Sequence, residues 1–563
     1  MQFEKRPAGM FMWRFWRQLA TGPRDTRGPS PRGLVFFLAI LFLLYSAVNW
    51  LREDPRFSGA LQLTSAFRYV LTQGAIDATP EMVFEAAVNG LTAPLDPFSG
   101  YMPAEELGYF EEETEGEYVG IGVEIKVTAG RIIIVRVFPQ TPAAEALIQP
   151  GDAILAIDGT PTLGLTLSRA IELMRGEEGT LVDVRLSSPD GEERELTLER
   201  RAVSVSPFPI HGISFSGCAY IRWTDFTVGS ADRLAALVEG IRVEQPIGII
   251  LDLRGNPGGL LEEAVNAAGI FLPPDQLICK VVDRGGRNIM EYRTAESPAT
   301  FTGPLAIVLD ENSASASEVI AAALQELGRA VVVGRRSYGK GWVQNVFEFE
   351  DGSALRLSTA RYYTPAGRTF GDPRVRIPAD SVAGDSAWFG PSGLEPDTMV
   401  EELEVGPWED ALARRGLFAD FAIAYADDWP GDDLAVELRF WCDSLGIIPE
   451  GLAAHLVAAG NSSSARRLNE ATRAEREQLL LSLDSAWVRD RTILFAREIE
   501  ALTMRLWEQR MIAVERPDEA ELDEYLSADP DLAAARDLLE QPERYNAYVG
   551  RWRSQMAALP AAR

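Results

Sequence analysis

Ser313, Ser315 and Ser317 alternate with alanines in the segment Asp310–Glu318, and Lys340 follows between Gly339 and Gly341. A serine hydroxyl is a weak nucleophile until a neighbouring base takes its proton. Three kinds of base compete in this chain. Histidine is scarce: only His211 and His455 are present, and only His211 is near this region in sequence. Glu318 abuts the serine cluster, but it falls where a helix should begin, and a carboxylate there is favoured by the helix N-terminus. A lysine acts as a base once burial leaves its amine neutral. Val331–Val333, Trp342 and Val343 supply apolar surroundings for Lys340, and Gln344 offers the amine a hydrogen bond without adding charge. The chemistry suggested is acyl transfer by a lysine-activated serine. Residue types alone do not choose among the three serines.

Two lookalikes lie in the same stretch. Gly334-Arg-Arg-Ser-Tyr-Gly-Lys-Gly341 nearly spells a phosphate-binding loop, but a glycine stands where the magnesium-binding hydroxyl is needed. Ser337-Tyr-Gly-Lys340 spells the S-x-x-K of penicillin-binding enzymes without the S-D-N and K-T-G elements that should follow it.

The elements that must hold these residues read as an α/β pattern. Leu305–Leu309 is a strand, Asp310–Ser317 a turn, and Val319, Ile320, Leu324 and Leu327 recur at helical spacing. Ala330–Val333 is a second strand, leading to the Lys340 loop. Upstream, Ala219–Trp223 and Ile247–Leu253 are strands, and Ala231–Ile241 and Leu260–Phe271 are helices. Alternation of this kind gives a sheet covered by helices, with chemistry at the strand ends. Arg254-Gly-Asn-Pro-Gly-Gly259 turns from strand to helix, and Gly258 and Gly259 leave backbone N–H groups open to an oxyanion or a substrate backbone. Asp351-Gly352 is a hairpin turn between later strands. Residues 368–398 read as a surface loop.

Around Gly116 the periodicity changes. Residues 118–125 alternate, 131–137 form another strand, and 151–159 read as turn, strand and turn. Gly120, Ile121, Gly122 and Val123 precede a strand in a way that lets successive N–H groups face one point. Such a nest holds a carboxylate, and the adjoining strand edge can pair with an extended peptide.

A net charge of -29 argues against a nucleic-acid surface. Cys218, Cys279 and Cys442 have no metal-ligand spacing, and two histidines cannot build a His-rich zinc site. Residues 1–32 carry seven Lys or Arg against two acids, and the 19 residues 33–51 are uncharged and apolar. They read as a basic cytoplasmic tail and a transmembrane signal anchor. Residues 56–112 read as a helical N-terminal region with Asp96-Pro97-Phe98-Ser99 as a turn, and 405–563 as a helical C-terminal domain.

The motifs together resemble a known family. Leu147–Gly159 is similar to the central strand of a PDZ domain, and Gly120–Val123 to its carboxylate-binding loop. Tyr118–Gly122, Asp252–Gly259, Ser313–Glu318 and Val333–Gln344 resemble a carboxyl-terminal processing (tail-specific) protease of peptidase family S41. The resemblance implies a multidomain α/β chain: a PDZ domain over 113–203, a Ser/Lys peptidase core over 204–404 and a helical C-terminal extension. It places the nucleophile at Ser315, the general base at Lys340 and the lysine-orienting residue at Gln344. The oxyanion donors fall on the backbone N–H groups of Gly258 and Ala316, and no cofactor is needed. Expected partners are proteins or peptides with free C-termini, the membrane through the N-terminal helix, and no nucleic acid. Room is left for a regulatory protein or a homo-oligomer. The implied location is the bacterial inner membrane, single pass, with the catalytic part extracytoplasmic. The alternative is a catalytically silent PDZ-containing scaffold that binds peptides.

Overall fold

The computed structural model describes residues 55–128, 130–188, 191–371, 393–400, 511 and 517–558. They fall into two compact units divided between Leu95 and Asp96. The first unit holds α1 (Pro55–Gln73) and α2 (Pro80–Thr92). Thr79 caps α2 by accepting the Met82 N–H, since first-turn N–H groups have no intrahelical partner.

The second unit begins with β1 (Gly100–Met102) and α3 (Ala104–Glu115). Gly116, at φ 71°, ends α3 in the left-handed conformation. A β-rich region follows: β2 (Glu117–Gly120), β3 (Val123–Thr128), β4 (Arg131–Val137), α4 (Pro142–Glu145), β5 (Ala153–Ile157), β6 (Thr160–Pro161), α5 (Leu167–Met174), β7 (Leu181–Ser187), β8 (Glu193–Glu199) and β9 (Arg201–Ser204). The sheet order is β3-β4-β5-β7-β8, with β6 on β5 and a separate β2-β9 pair. β7 alternates strictly: Val182, Val184 and Leu186 point into the core, while Leu181, Asp183 and Arg185 are exposed. One face of this antiparallel sheet is therefore dry and the other wet.

The larger region contains β10 (His211–Ile213), β11 (Cys218–Arg222), α6 (Ser230–Val243), β12 (Gly248–Asp252), α7 (Leu261–Phe271), β13 (Leu277–Asp283), β14 (Ile289–Arg293), β15 (Leu305–Leu309), α8 (Ala316–Glu326), β16 (Val331–Gly334), β17 (Trp342–Glu348), β18 (Ala354–Tyr363) and β19 (Thr398–Met399). The main sheet runs β10-β11-β12-β15-β16-β19, and every pairing except β10 with β11 is parallel. β12, β15 and β16 are buried at every residue, as strands covered on both faces must be. Leu234 and Val238 of α6, Ala264 and Ala268 of α7, and Ile320 and Leu324 of α8 pack on one face. A second sheet joins β1, β18, β13 and β14, with β17 on the other edge of β18. Its β17–β18 hairpin turns at Asp351-Gly352, where Gly352 takes φ 85° and Asp351 Oδ1 accepts the Ser353 N–H at 3.0 Å.

The other face of the main sheet is covered from the far end of the chain. α9 (Glu519–Ala528), α10 (Pro530–Leu539) and α11 (Pro542–Ala558) place Leu522, Tyr525, Leu532, Leu538 and Val549 against Tyr220, Ile250, Val308 and Val333. Each fully buried aliphatic side chain of this set contributes roughly 1.5–3 kcal/mol. Residues 405–510 of the expected C-terminal region lie outside the described residues. Its described part, 517–558, is integral to the core.

The expected location needs correction. Among the described residues no helix is long and apolar enough to cross a bilayer. The apolar stretch 33–51, on which a single-pass inner-membrane placement was read, lies outside the described residues. That placement has no support here and is withdrawn.

Candidate active site

The serine cluster sits between β15 and α8, and its three hydroxyls have different fates. Ser313 is buried, with Oγ 2.9 Å from the Leu253 carbonyl and 3.0 Å from Asp310 Oδ1. Ser317 is buried too and donates to the Asn256 carbonyl at 3.1 Å. They tie the turn to Leu253, just after β12, and to the Arg254–Gly259 loop. Ser315 is half-exposed and takes φ 55° and ψ −114°, a conformation L-residues rarely hold. Such a residue costs of order 1–3 kcal/mol, which the surroundings must offset. It stands at the head of α8, whose first residue is Ala316. The Ala316 N–H is therefore among the donors without an intrahelical acceptor.

Gly258 lies directly against this turn. A Cβ on it would fall 2.7 Å from the Ser315 Cβ and 2.9 Å from the Ala316 nitrogen, and its φ is 107°. A Cβ there would force the loop to shift, and the two expected oxyanion donors are neighbours. The Gly258 N–H is nevertheless engaged, donating to Asn256 Oδ1 at 2.9 Å. An oxyanion would have to displace that acceptor.

Glu318 organises both halves of the site. It is fully buried. Oε2 accepts the backbone N–H of Ser315 at 2.9 Å and of Lys340 at 2.8 Å, and Oε1 accepts Gly339 N–H at 2.7 Å and the Ser337 hydroxyl. Burial pushes its carboxyl pKa up, and those donors oppose the rise. Tyr362 Oη hydrogen-bonds the Lys340 carbonyl and lies 3.4 Å from both Glu318 Oε2 and the Ser315 carbonyl.

Lys340 is half-buried. Burial is the main influence holding its amine below the usual lysine range. The Arg356 guanidinium adds to that effect, while Glu318 and Asp96 oppose it. Nζ lies 5.1 Å from the centroid of the Phe98 ring. Gln344, on β17, gives Nε2 to the Phe98 carbonyl at 2.8 Å. The Asp96–Ser99 turn thus borders Lys340 and Gln344. His211, by contrast, lies on β10, three strands from β15 in the sheet order. At about 4.8 Å per strand that is roughly 14 Å across the sheet.

Gly120, Ile121 and Gly122 are buried and Val123 half-buried, bordering a groove of about 320 Å³. Its other walls include Phe138, Ile171, Met174 and Arg175. The carbonyls of Ile121 and Gly122 are taken by the N–H groups of Ala143 and Phe138 at 2.9 and 3.0 Å. Gly122 has φ 85°, and a Cβ there would meet Thr141 at 2.2 Å. Arg175 pairs with Glu112 and lies 5.3 Å from the Tyr118 ring centroid.

Residues 217–380 match the model of peptidase family S41, and residues 110–186 match the PDZ domain. A carboxy-terminal-processing protease of Bartonella bacilliformis is 32% identical over 376 residues, covering 65% of this chain and 81% of that protein. The chain belongs to peptidase family S41. It is a serine peptidase of the carboxy-terminal processing type, with a PDZ domain. The peptidase is also 30% identical to carboxy-terminal processing protease CtpA of Bacillus subtilis over 341 residues, covering 60% of this chain and 68% of that one. Among solved structures, a photosystem II D1 C-terminal processing protease matches with 25% identity and a TM-score of 0.34, covering 61% of the peptidase and 92% of that chain.

Three groups at the candidate site were not given their places there by the sequence. Glu318 had a signal: the spacing Ser315-x-x-Glu318 is that of a capping box. Tyr362 had none, since its strand meets the site only through sheet pairing. Asp96-Pro97-Phe98-Ser99 was legible as a turn, but not as a wall beside a lysine 242 residues later.

Proposed function

We propose that the peptidase captures the free C-terminal tails of proteins in its PDZ groove and cleaves their chains with a Ser315/Lys340 dyad. The proposed division is PDZ domain 113–203 and peptidase core 204–404. A tail carboxylate would meet the N–H groups of Gly120–Val123, and the tail would add a strand beside β3. Neutral Lys340 takes the Ser315 proton as Oγ attacks the scissile carbonyl. The N–H groups of Ala316 and Gly258 stabilise the oxyanion, the latter leaving Asn256. Lys340 then gives its proton to the leaving amine, and water resolves the acyl-enzyme by the reverse steps. Gln344 holds the amine in line.

The observation that carries this reading is the strained Ser315 at the head of α8, half-exposed and packed on Gly258, while Ser313 and Ser317 are buried and committed to backbone carbonyls. The test is cleavage of an unfolded protein of defined tail by the full chain. Ser315→Ala and Lys340→Ala should each abolish it, and amidating the tail should raise KM. Cleavage that persists in both variants would exclude the dyad. Tail binding without any cleavage by the wild type would favour the silent scaffold.

A further inference from the structure

Phe98 lies outside both matched segments, 110–186 and 217–380. It is held by a turn built around one carboxylate. Asp96 Oδ1 accepts the N–H groups of Phe98 and Ser99, both at 2.8 Å, and Oδ2 accepts the Ser99 hydroxyl at 2.7 Å. Ser358 of β18 fastens the turn to the sheet: its N–H reaches Ser99 Oγ at 3.0 Å and its hydroxyl reaches Asp96 Oδ1 at 3.1 Å. The turn is therefore fixed at both carboxylate oxygens, which is how an aspartate makes a short loop rigid.

This rigid turn offers two groups to the site. The Phe98 carbonyl accepts Gln344 Nε2 at 2.8 Å and Arg356 Nε at 3.2 Å. With Nε2 so committed, only the acceptor Oε1 of Gln344 remains for an amine N–H. The Phe98 ring, set edge-on to Tyr338 at 6.3 Å, lies 5.1 Å from Lys340 Nζ. That is inside the range of about 6 Å over which an aromatic face attracts an ammonium.

We infer that Phe98 is a positioning residue for the base: its carbonyl fixes the polarity of the Gln344 amide, and its ring stabilises the proton-bearing form of Lys340. The inference rests on the reading of Lys340 as general base. A base in this cycle must hold the serine's proton until the leaving amine collects it. Dry surroundings and Arg356 on β18 both disfavour that proton; Glu318 on α8 and Asp96 in the turn favour it. The ring adds to the second group without adding a charge. It attracts the ammonium and is nearly indifferent to the neutral amine, so it raises the pKa above the value an aliphatic side chain would leave.

The test is the pH dependence of kcat/KM for the full chain, which reports ionisations of the free enzyme. Activity rises with pH as Lys340 loses its proton. Phe98→Leu keeps an apolar side chain and deletes the ring, so the acidic limb should move down by about half a unit to one unit. Phe98→Trp should leave the limb in place or move it up. Phe98→Met replaces Phe98→Leu should the latter misfold, which thermal melts would reveal. Labelling of the serine by a fluorophosphonate, followed against pH, should move in the same way. A limb that coincides in wild type and Phe98→Leu overturns the inference, as does a Trp variant that shifts as far down as the Leu variant. Lys340→Ala run alongside separates the two levels: if it keeps the wild-type limb, the base itself is misassigned.

Discussion

Ser315 and Lys340 are joined through one buried carboxylate: Glu318 Oε2 accepts the backbone N–H of both, at 2.9 and 2.8 Å. The turn of the proposed nucleophile and the loop of the proposed base therefore share a fixed point, although neither side chain is part of the link. An exchange to glutamine keeps the volume but turns an NH₂ group towards donors that need acceptors. Each orphaned buried donor costs about 1–3 kcal/mol. Glu318→Gln is expected to lower stability by about 2–4 kcal/mol in urea titrations. It should also reduce kcat/KM by at least about tenfold, with the loss in kcat, since 1.4 kcal/mol corresponds to tenfold. Wild-type kcat in a folded variant would remove Glu318 from the account of the site.

Gly258 makes a sharper case, because the conflict is steric. A methyl there would meet the Ser315 Cβ at 2.7 Å and the Ala314 carbonyl oxygen at 2.9 Å, at φ 107°. The loop must shift, and with it the expected oxyanion donor. Gly258→Ala should fold and still bind tails, yet lose about 10²–10³ in kcat, the effect of removing one oxyanion donor. Single-turnover kinetics would check this. Unchanged acylation would place the oxyanion elsewhere.

What the sequence disclosed and what it hid follow from the range of the forces involved. Strands such as Leu305–Leu309 and the glycines of the Arg254–Gly259 loop were legible because period, apolarity and turn chemistry are local. Residue types did not choose among Ser313, Ser315 and Ser317; only the family resemblance pointed to Ser315. The different surroundings of the three hydroxyls depend on carbonyls contributed by Leu253 and Asn256, about 60 residues away. Phe98 beside Lys340 and Asp529 beside Arg254 were hidden for the same reason. Residues 405–563 were legible as helical, but nothing local says which sheet face α9–α11 cover.

That cover also reaches the Arg254–Gly259 loop. Arg254 Nη1 meets Asp529 Oδ2 at 2.7 Å and Asp531 Oδ2 at 3.2 Å, while its Nη2 holds Asp252 at 2.8 Å. Asp529 caps α10 with its other oxygen, accepting the N–H groups of Asp531 and Leu532. Without this carboxylate Arg254 keeps Asp252 and Asp531, while α10 loses its cap. Asp529→Ala is expected to cost about 1.5–3 kcal/mol, the sum of a lost charged hydrogen bond and a lost cap. Urea midpoints measure it, and a change below 1 kcal/mol would mean that water replaces the aspartate.

The PDZ groove predicts a different signature. Ile171 lines it beside Met174 and the Gly120–Val123 loop. Ile171→Glu puts a negative charge where a tail carboxylate is proposed to dock. KM for a protein with a free C-terminus should rise about tenfold, a penalty of about 1.4 kcal/mol. The same substrate with an amidated tail should scarcely distinguish the variant from wild type. Equal losses on both substrates would separate the groove from tail recognition.

Acid should weaken the peptidase through Asp252. Its carboxylate is buried and accepts from Tyr220 Oη, Arg222 Nη1 and Arg254 Nη2, each at 2.8 Å. Burial alone would raise its pKa, but the two guanidiniums and these hydrogen bonds outweigh that and hold it well below the usual carboxylate range. The sign follows from that depression. Above the unfolded-state pKa of about 3.9 the full contribution is present. As pH falls below it, the unfolded chain takes up a proton that the folded one refuses, so stability declines. Urea midpoints should therefore hold from pH 7 down to about pH 5 and drop between there and about pH 3 in the wild type. Asp252→Asn should start about 3–5 kcal/mol lower at pH 7 and lose less over the same interval. Parallel acid profiles in the two proteins would assign the acid sensitivity to other carboxylates.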